Sequence, residues 1–171
     1  MFGAESRFTR FSADGSVLRP VVDARTVLGI HAAGEFVAGA TRAIPFYELA
    51  PLGSSTDLRG YFLDRFLGRA RVYGNVEIRR DVCDVSFRDW WKAHLDGVVF
   101  GDVGSVFFES SQVSKSYGPT SVPPPGTVDT VRVSYGGGIR VTLEDALVIR
   151  LDVGFSPEET ALVYLDFGQT F

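Results

Sequence analysis

Three carboxylates in this 171-residue chain, Glu77, Asp102 and Asp152, invite a first chemical reading. Two carboxyls about 5–9 Å apart, one protonated and one ionised, would suit glycoside hydrolysis. Nothing around them marks one as buried and protonated, so no enzyme is expected. Gly136-Gly137-Gly138 is no phosphate cradle, because it sits inside an alternating pattern and lacks the Lys-Ser/Thr that completes a P-loop. Glycines in a strand more often mark a bend, or a place where something packs against the sheet. His31 and His94 are too few for a His-based metal centre, and His31 beside Glu35 reads as a hydrogen-bonded structural residue. Cys83 is the single cysteine, which excludes an internal disulfide and a Cys-rich zinc site. It is an idle thiol or a partner for an intermolecular bond. No metal and no cofactor are expected.

The elements that must position these residues are strands. ARVYGNVEIRR sets Arg71, Tyr73, Asn75, Glu77 and Arg79 against Val72, Gly74, Val76 and Ile78. VRVSYGGGIRVTLE opposes Val133, Tyr135, Ile139 and Val141 to Arg132, Ser134, Arg140 and Thr142. LVIRLDVGF separates Leu147, Ile149, Leu151 and Val153 from Arg150 and Asp152. TVLGIHAAGEF repeats the pattern, with His31 and Glu35 on its polar side. In ALVYLDFGQTF, Val163, Leu165, Phe167 and Phe171 share a face with Gln169, and Tyr164, Asp166 and Thr170 oppose them. SRFTRFSADGSVLRPV is noisier, with Asp14-Gly15 read as a bulge or turn, and LDGVVFGDVGSVF is a strand with apolar residues on both faces.

About seven strands of nine to thirteen residues result, longer than the usual five or six. Their polar faces carry charges and glycines throughout, while the apolar faces run unbroken. That is the pattern of an outer-membrane β-barrel, apolar outward and polar inward. Short links near residues 22–25 and 144–146 alternate with long ones at 40–69 and 108–130, the latter holding SYGPTSVPPPG. Short turns on one side and long loops on the other also suit such a barrel. Two links fit less well: 82–94 is long for a turn, and 156–159 is short for an outer loop. FRDWWKAHL in the first is expected to form a helical turn with Trp90 and Trp91 at the interface; the alternative packs both tryptophans under a soluble sheet. A net charge of −4 and a pI near 5.2 argue against a nucleic-acid partner.

Four ordered segments resemble the bacterial surface antigen family, the outer-membrane assembly and secretion barrels of the BamA and TamA type. Leu58-Arg59-Gly60-Tyr61 resembles the family's Arg-Gly-aromatic motif at the tip of a loop folded back into the barrel. GNVE, ending in Glu77, resembles the motif one strand on, and Phe100-Gly101-Asp102-Val103-Gly104 resembles the FxDxG motif of the strand after. The ending DFGQTF, with Phe167 and Phe171, resembles the C-terminal signal and closing strand of bacterial outer-membrane proteins. The resemblance implies an all-β chain, an antiparallel transmembrane barrel segment of about seven strands, forming the C-terminal part of a sixteen-stranded barrel. It implies a bacterial outer-membrane location, with lipids and client β-barrel or secreted proteins as partners.

Beside the resemblance stands a physical argument. Arg59 lies in a loop, and Glu77 and Asp102 lie on the polar faces of neighbouring strands. A guanidinium meeting two carboxylates in a partly desolvated interior makes a bidentate, charge-assisted lock, and an unpaired carboxylate there would be costly. Arg59, Gly60, Tyr61, Glu77 and Asp102 are therefore expected to hold the loop inside; the bland alternative is three solvated surface charges. Residues 1–171 are expected to be the C-terminal portion of a longer barrel, because MFGAESRFTRF lacks a signal-peptide core and seven strands leave two open edges. A separate upstream half or periplasmic repeats would complete it. The competing reading is a soluble β-sandwich or a lipocalin-like module that binds a small ligand.

Overall fold

The computed structural model describes residues 8–39, 44–87, 91–107, 131–143, 147–168, 170 and 171. Seven strands form one antiparallel sheet: β1 (Phe8–Pro20), β2 (Thr26–Gly39), β5 (Ala70–Phe87), β6 (Trp91–Phe107), β7 (Arg132–Leu143), β8 (Leu147–Phe155) and β9 (Leu162–Phe167). They pair in chain order, and β1 and β9 are its two edges. Between β2 and β5 the chain makes a 3₁₀ turn at Phe46–Glu48 and a small separate ladder of β3 (Ala50–Leu52) with β4 (Phe66–Gly68).

Period-two alternation decides the two faces of the sheet. Ile30, Phe36, Val72, Val76, Ile78, Val99, Val103, Val133, Ile139, Leu151, Val163, Leu165 and Phe167 all point outward and are exposed. The opposite face buries His31, Glu35, Asn75, Glu77, Asp102, Ser134, Arg140, Arg150 and Asp152. Polar residues inside and apolar residues outside invert the ordinary soluble arrangement. Such a sheet suits hydrocarbon on its outer surface.

The polar face wraps around the 44–65 segment. Leu52, Leu58, Tyr61, Phe66 and Val106 form one apolar cluster against Tyr73, and Val37, Ile44 and Leu49 form a second against Phe8 and Leu67. The two clusters give the loop its own small core inside the curve of the sheet.

Several expectations change. FRDWWKAHL contains no helix among the described residues: β5 continues to Phe87 and β6 begins at Trp91, so the supposed link is an extended hairpin. A bulge between Asp81 and Cys83 shifts the register there. Asp14-Gly15 forms neither bulge nor turn, because Asp14 pairs with Ala33 and Gly15 with Ala32 in an unbroken ladder. The seven strands of the main sheet run from six to eighteen residues, wider than the expected nine to thirteen. Trp90, Gln169, residues 144–146 and the Pro-rich stretch at 108–130 lie outside the described residues.

Candidate functional site

Leu58-Arg59-Gly60-Tyr61 reaches the site because the segment before it folds on itself. The Asp57 carboxylate accepts hydrogen bonds from the Gly53 amide at 3.1 Å, the Ser54 hydroxyl at 2.9 Å and the Leu58 amide at 2.6 Å. Burial pushes this carboxyl above its usual range, against those hydrogen bonds and the nearby Arg71 charge. Arg71 on β5 also donates to Glu35 on β2 and to the Pro51 carbonyl, which ties the loop base to two strands.

Arg59 projects from this turn with no exposed surface. Its Nε donates to Asp102 Oδ2 at 2.9 Å and its Nη2 to Asp102 Oδ1 at 2.7 Å, a bidentate pair. Its Nη1 donates to Glu77 Oε1, and its backbone amide also donates to Asp102, at 3.1 Å. The guanidinium carbon stands 3.5 Å from the centroid of the Phe100 ring. Glu77 lies opposite Phe100 in the β5–β6 ladder, and Asp102 lies opposite Asn75. The two carboxylates are thus diagonal neighbours on one face, spaced to take the two sides of one guanidinium. Asn75 completes the arrangement by donating to Asp102 at 2.9 Å and to the Asp57 carbonyl at 2.8 Å.

The charges extend further than those three residues. Arg140 on β7 contacts Glu77 at 3.5 Å and donates to Asp152 on β8, and Asp152 lies 3.7 Å from Arg59. Arg59, Glu77, Arg140 and Asp152 therefore close a ring of alternating sign. Arg150 joins it through Asp152 at 3.5 Å. Three buried guanidiniums, of Arg59, Arg140 and Arg150, face three buried carboxylates, of Glu77, Asp102 and Asp152, and the partly buried Arg79 also donates to Glu77 at 2.8 Å. The balance matters because a lone buried charge costs several kcal/mol.

Gly60 and Tyr61 meet the opposite wall. Gly60 has φ of +90°, and a Cβ there would lie 2.9 Å from the Phe155 carbonyl oxygen. Gly154 on β8 faces it, and a Cβ there would clash with the Gly60 nitrogen at 2.6 Å. The loop apex therefore lies flat on β8 because neither residue carries a side chain. Tyr61 is buried in the Leu52–Leu58–Phe66 cluster and donates its hydroxyl to the Val133 carbonyl at 3.2 Å.

All five loop residues and strand carboxylates singled out from sequence, Arg59, Gly60, Tyr61, Glu77 and Asp102, lie together. Phe167 faces outward on β9, 71% exposed. Phe171 does not share that face: its ring stacks on His31, on the concave side, with centroids 5.1 Å apart. Gly168, with φ of +99°, turns the chain between them. Sequence reasoning missed Arg140, Arg150, Tyr164 and Asn75 as partners of the site. Alternation placed each on a polar face, but only the register shows what each one meets. Glu77, Asp102 and Asp152 are each engaged by a guanidinium.

A family model, the Omp85 superfamily domain, matches residues 1–171. The chain belongs to the Omp85 superfamily. No curated protein and no solved structure matches it. Omp85 proteins of the surface antigen type are outer-membrane insertion and secretion barrels, which accounts for a sheet that is apolar outside and charged within. Among the described residues the seven-stranded sheet has β1 and β9 as its edges and is not closed, which is consistent with a segment of an Omp85 barrel. Membership also sets aside the soluble ligand-binding module.

Proposed function

We propose that this chain is the C-terminal portion of a bacterial outer-membrane barrel that inserts or secretes client proteins, without covalent chemistry. The observation that carries this reading is Arg59, wholly buried at the apex of an infolded loop and bonded to carboxylates on two adjacent strands. It fastens the loop to the wall that must stay intact while the opposite edge moves. That edge is β9, whose outer side pairs with no strand among the described residues and offers backbone groups for β-augmentation by an incoming strand. Upstream strands would continue the wall beyond β1, whose outward Phe11 and Val17 are exposed beside an open edge. Outer-membrane lipids would cover the apolar face, and client β-barrel or secreted proteins would engage β9.

The test is Arg59→Ala in the protein as its cells make it. Removing the cation leaves Glu77 and Asp102 without it, a loss of about 3–5 kcal/mol for a buried pair. Added protease should then cut within residues 44–65, and client insertion or secretion should fall at least tenfold. A protected loop together with full client yield would overturn the reading.

A further inference from the structure

Beyond β9 the chain does not follow the outer surface. The Gly168 amide still bonds to the Val148 carbonyl at 2.8 Å, so the ladder with β8 holds to that point. The positive φ of Gly168 then carries the end of the chain to the concave side. Thr170 Oγ1 accepts from Arg150 Nη1 at 2.7 Å and from Arg140 Nη2 at 3.4 Å. The Phe171 ring crosses to the far side of the curved sheet. There it stacks on His31 of β2, with planes 14° apart, and the Arg79 guanidinium of β5 stands 5.2 Å from its centroid. A Cβ on Gly29 would lie 2.9 Å from the ring and 3.1 Å from Leu18. The sequence leaves a slot at Gly29, and an aromatic ring fills it.

We propose that the concave face of β2 and β5 holds a binding slot for an aromatic side chain, and that Phe171, seated there, latches the edge strand β9 to the infolded loop. Gly29, His31 and Arg79 form the slot. Arg150 makes the connection: besides Thr170 it donates to Asp166 of β9 at 2.9 Å and to the Ser55 carbonyl of the loop at 3.0 Å. Arg140 connects Thr170 to Asp152, which lies in ion-pair range of Arg59. Strand β9 cannot leave β8 along its whole length while Thr170 stays on the arginines and Phe171 stays in the slot. This inference does not depend on the assembly reading, since its test follows where Phe171 sits rather than whether clients insert.

The full chain is made with p-benzoylphenylalanine in place of Phe171, irradiated in its membrane and digested with trypsin. The expected adduct is on the β2 peptide that begins at Thr26. Label found only on lipid or on β8 and β9 would overturn the slot. Gly29→Leu fills the space and should reduce the β2 adduct at least fivefold; undiminished labelling would overturn the seat. If Gly29→Leu does not insert, carboxypeptidase decides the matter. Release of Phe171 from the folded native chain should be at least tenfold slower than from detergent-unfolded chain. Thr170→Val, without the hydroxyl acceptor, should shorten that protection several-fold. Equal release from folded and unfolded native chain, or full protection in Thr170→Val, would overturn the latch.

Discussion

The phenol of Tyr164 holds the backbone of Gly60 from across the molecule: its oxygen accepts the Gly60 amide at 2.9 Å and donates to the Tyr61 carbonyl at 2.8 Å. The two residues are 104 positions apart in sequence. The loop apex is therefore held by Arg59 on one wall and by a residue of the edge strand on the other. Tyr164→Phe keeps the ring and removes both bonds, leaving two inward-facing backbone groups without that partner. The expected loss is about 1–3 kcal/mol for each unmet group. Protease cutting of the loop, compared with the Arg59→Ala chain, measures it; Tyr164→Phe should be the milder of the two.

Gly60 tolerates no Cβ. Alanine at φ +90° is strained by about 1–3 kcal/mol, and its methyl would meet the Phe155 backbone, which has no rotamer through which to retreat. Gly60→Ala should lower the thermal midpoint in detergent and expose the loop to protease even though every charge remains. A stable, protected Gly60→Ala chain would show that the apex does not lie against β8.

Val76 points outward near the middle of β5, 45% exposed. In water, an arginine there would cost little; facing hydrocarbon near the midplane it should cost about 2–4 kcal/mol. Membrane yield of Val76→Arg, compared with Val82→Arg on the hairpin beyond the β2 ladder, measures the difference. Equal yields would count against lipid on this face.

Asp57 makes the loop sensitive to pH. Its folded pKa is raised by burial, so the folded chain binds this proton more tightly than the unfolded chain does. The stability it supplies is complete below the unfolded carboxylate value and is lost as pH rises through the raised folded value. Between neutral and acid pH the native chain should therefore gain on Asp57→Asn, which cannot titrate. Thermal midpoints of the two chains across that range should diverge in the native chain's favour as pH falls; a constant difference would assign the titration elsewhere.

Much of this architecture is legible in residues alone, wherever the period of two runs unbroken. In β5 and β8 the alternation assigns Glu77, Arg150 and Asp152 to one face, and the sheet places them there. The hairpin of β5 and β6 was not legible because the bulge at Asp81/Cys83 displaces the alternation by one residue. Patterns read from its two sides then disagree, and FRDWWKAHL looks irregular. Phe171 was assigned to the wrong face for a similar reason: counting by twos past Gly168 ignores a backbone turn that only φ reveals. Asp14-Gly15 is turn chemistry overridden by a ladder that pairs every residue from Phe8 to Pro20. Tyr164 carried no signal, because one tyrosine on a polar face says nothing of a partner more than a hundred residues away.

The two edges of the sheet are unequal. β1 presents thirteen residues and β9 only six. In an antiparallel pairing alternate residues direct both backbone groups to one side, so β9 can offer a neighbour about six hydrogen bonds. The β5–β6 ladder, with eighteen and seventeen residues, is a far longer fastening. A wall built this way behaves like a garment with one short zip: pulled apart, the six-residue β8–β9 ladder parts before the long β5–β6 ladder does.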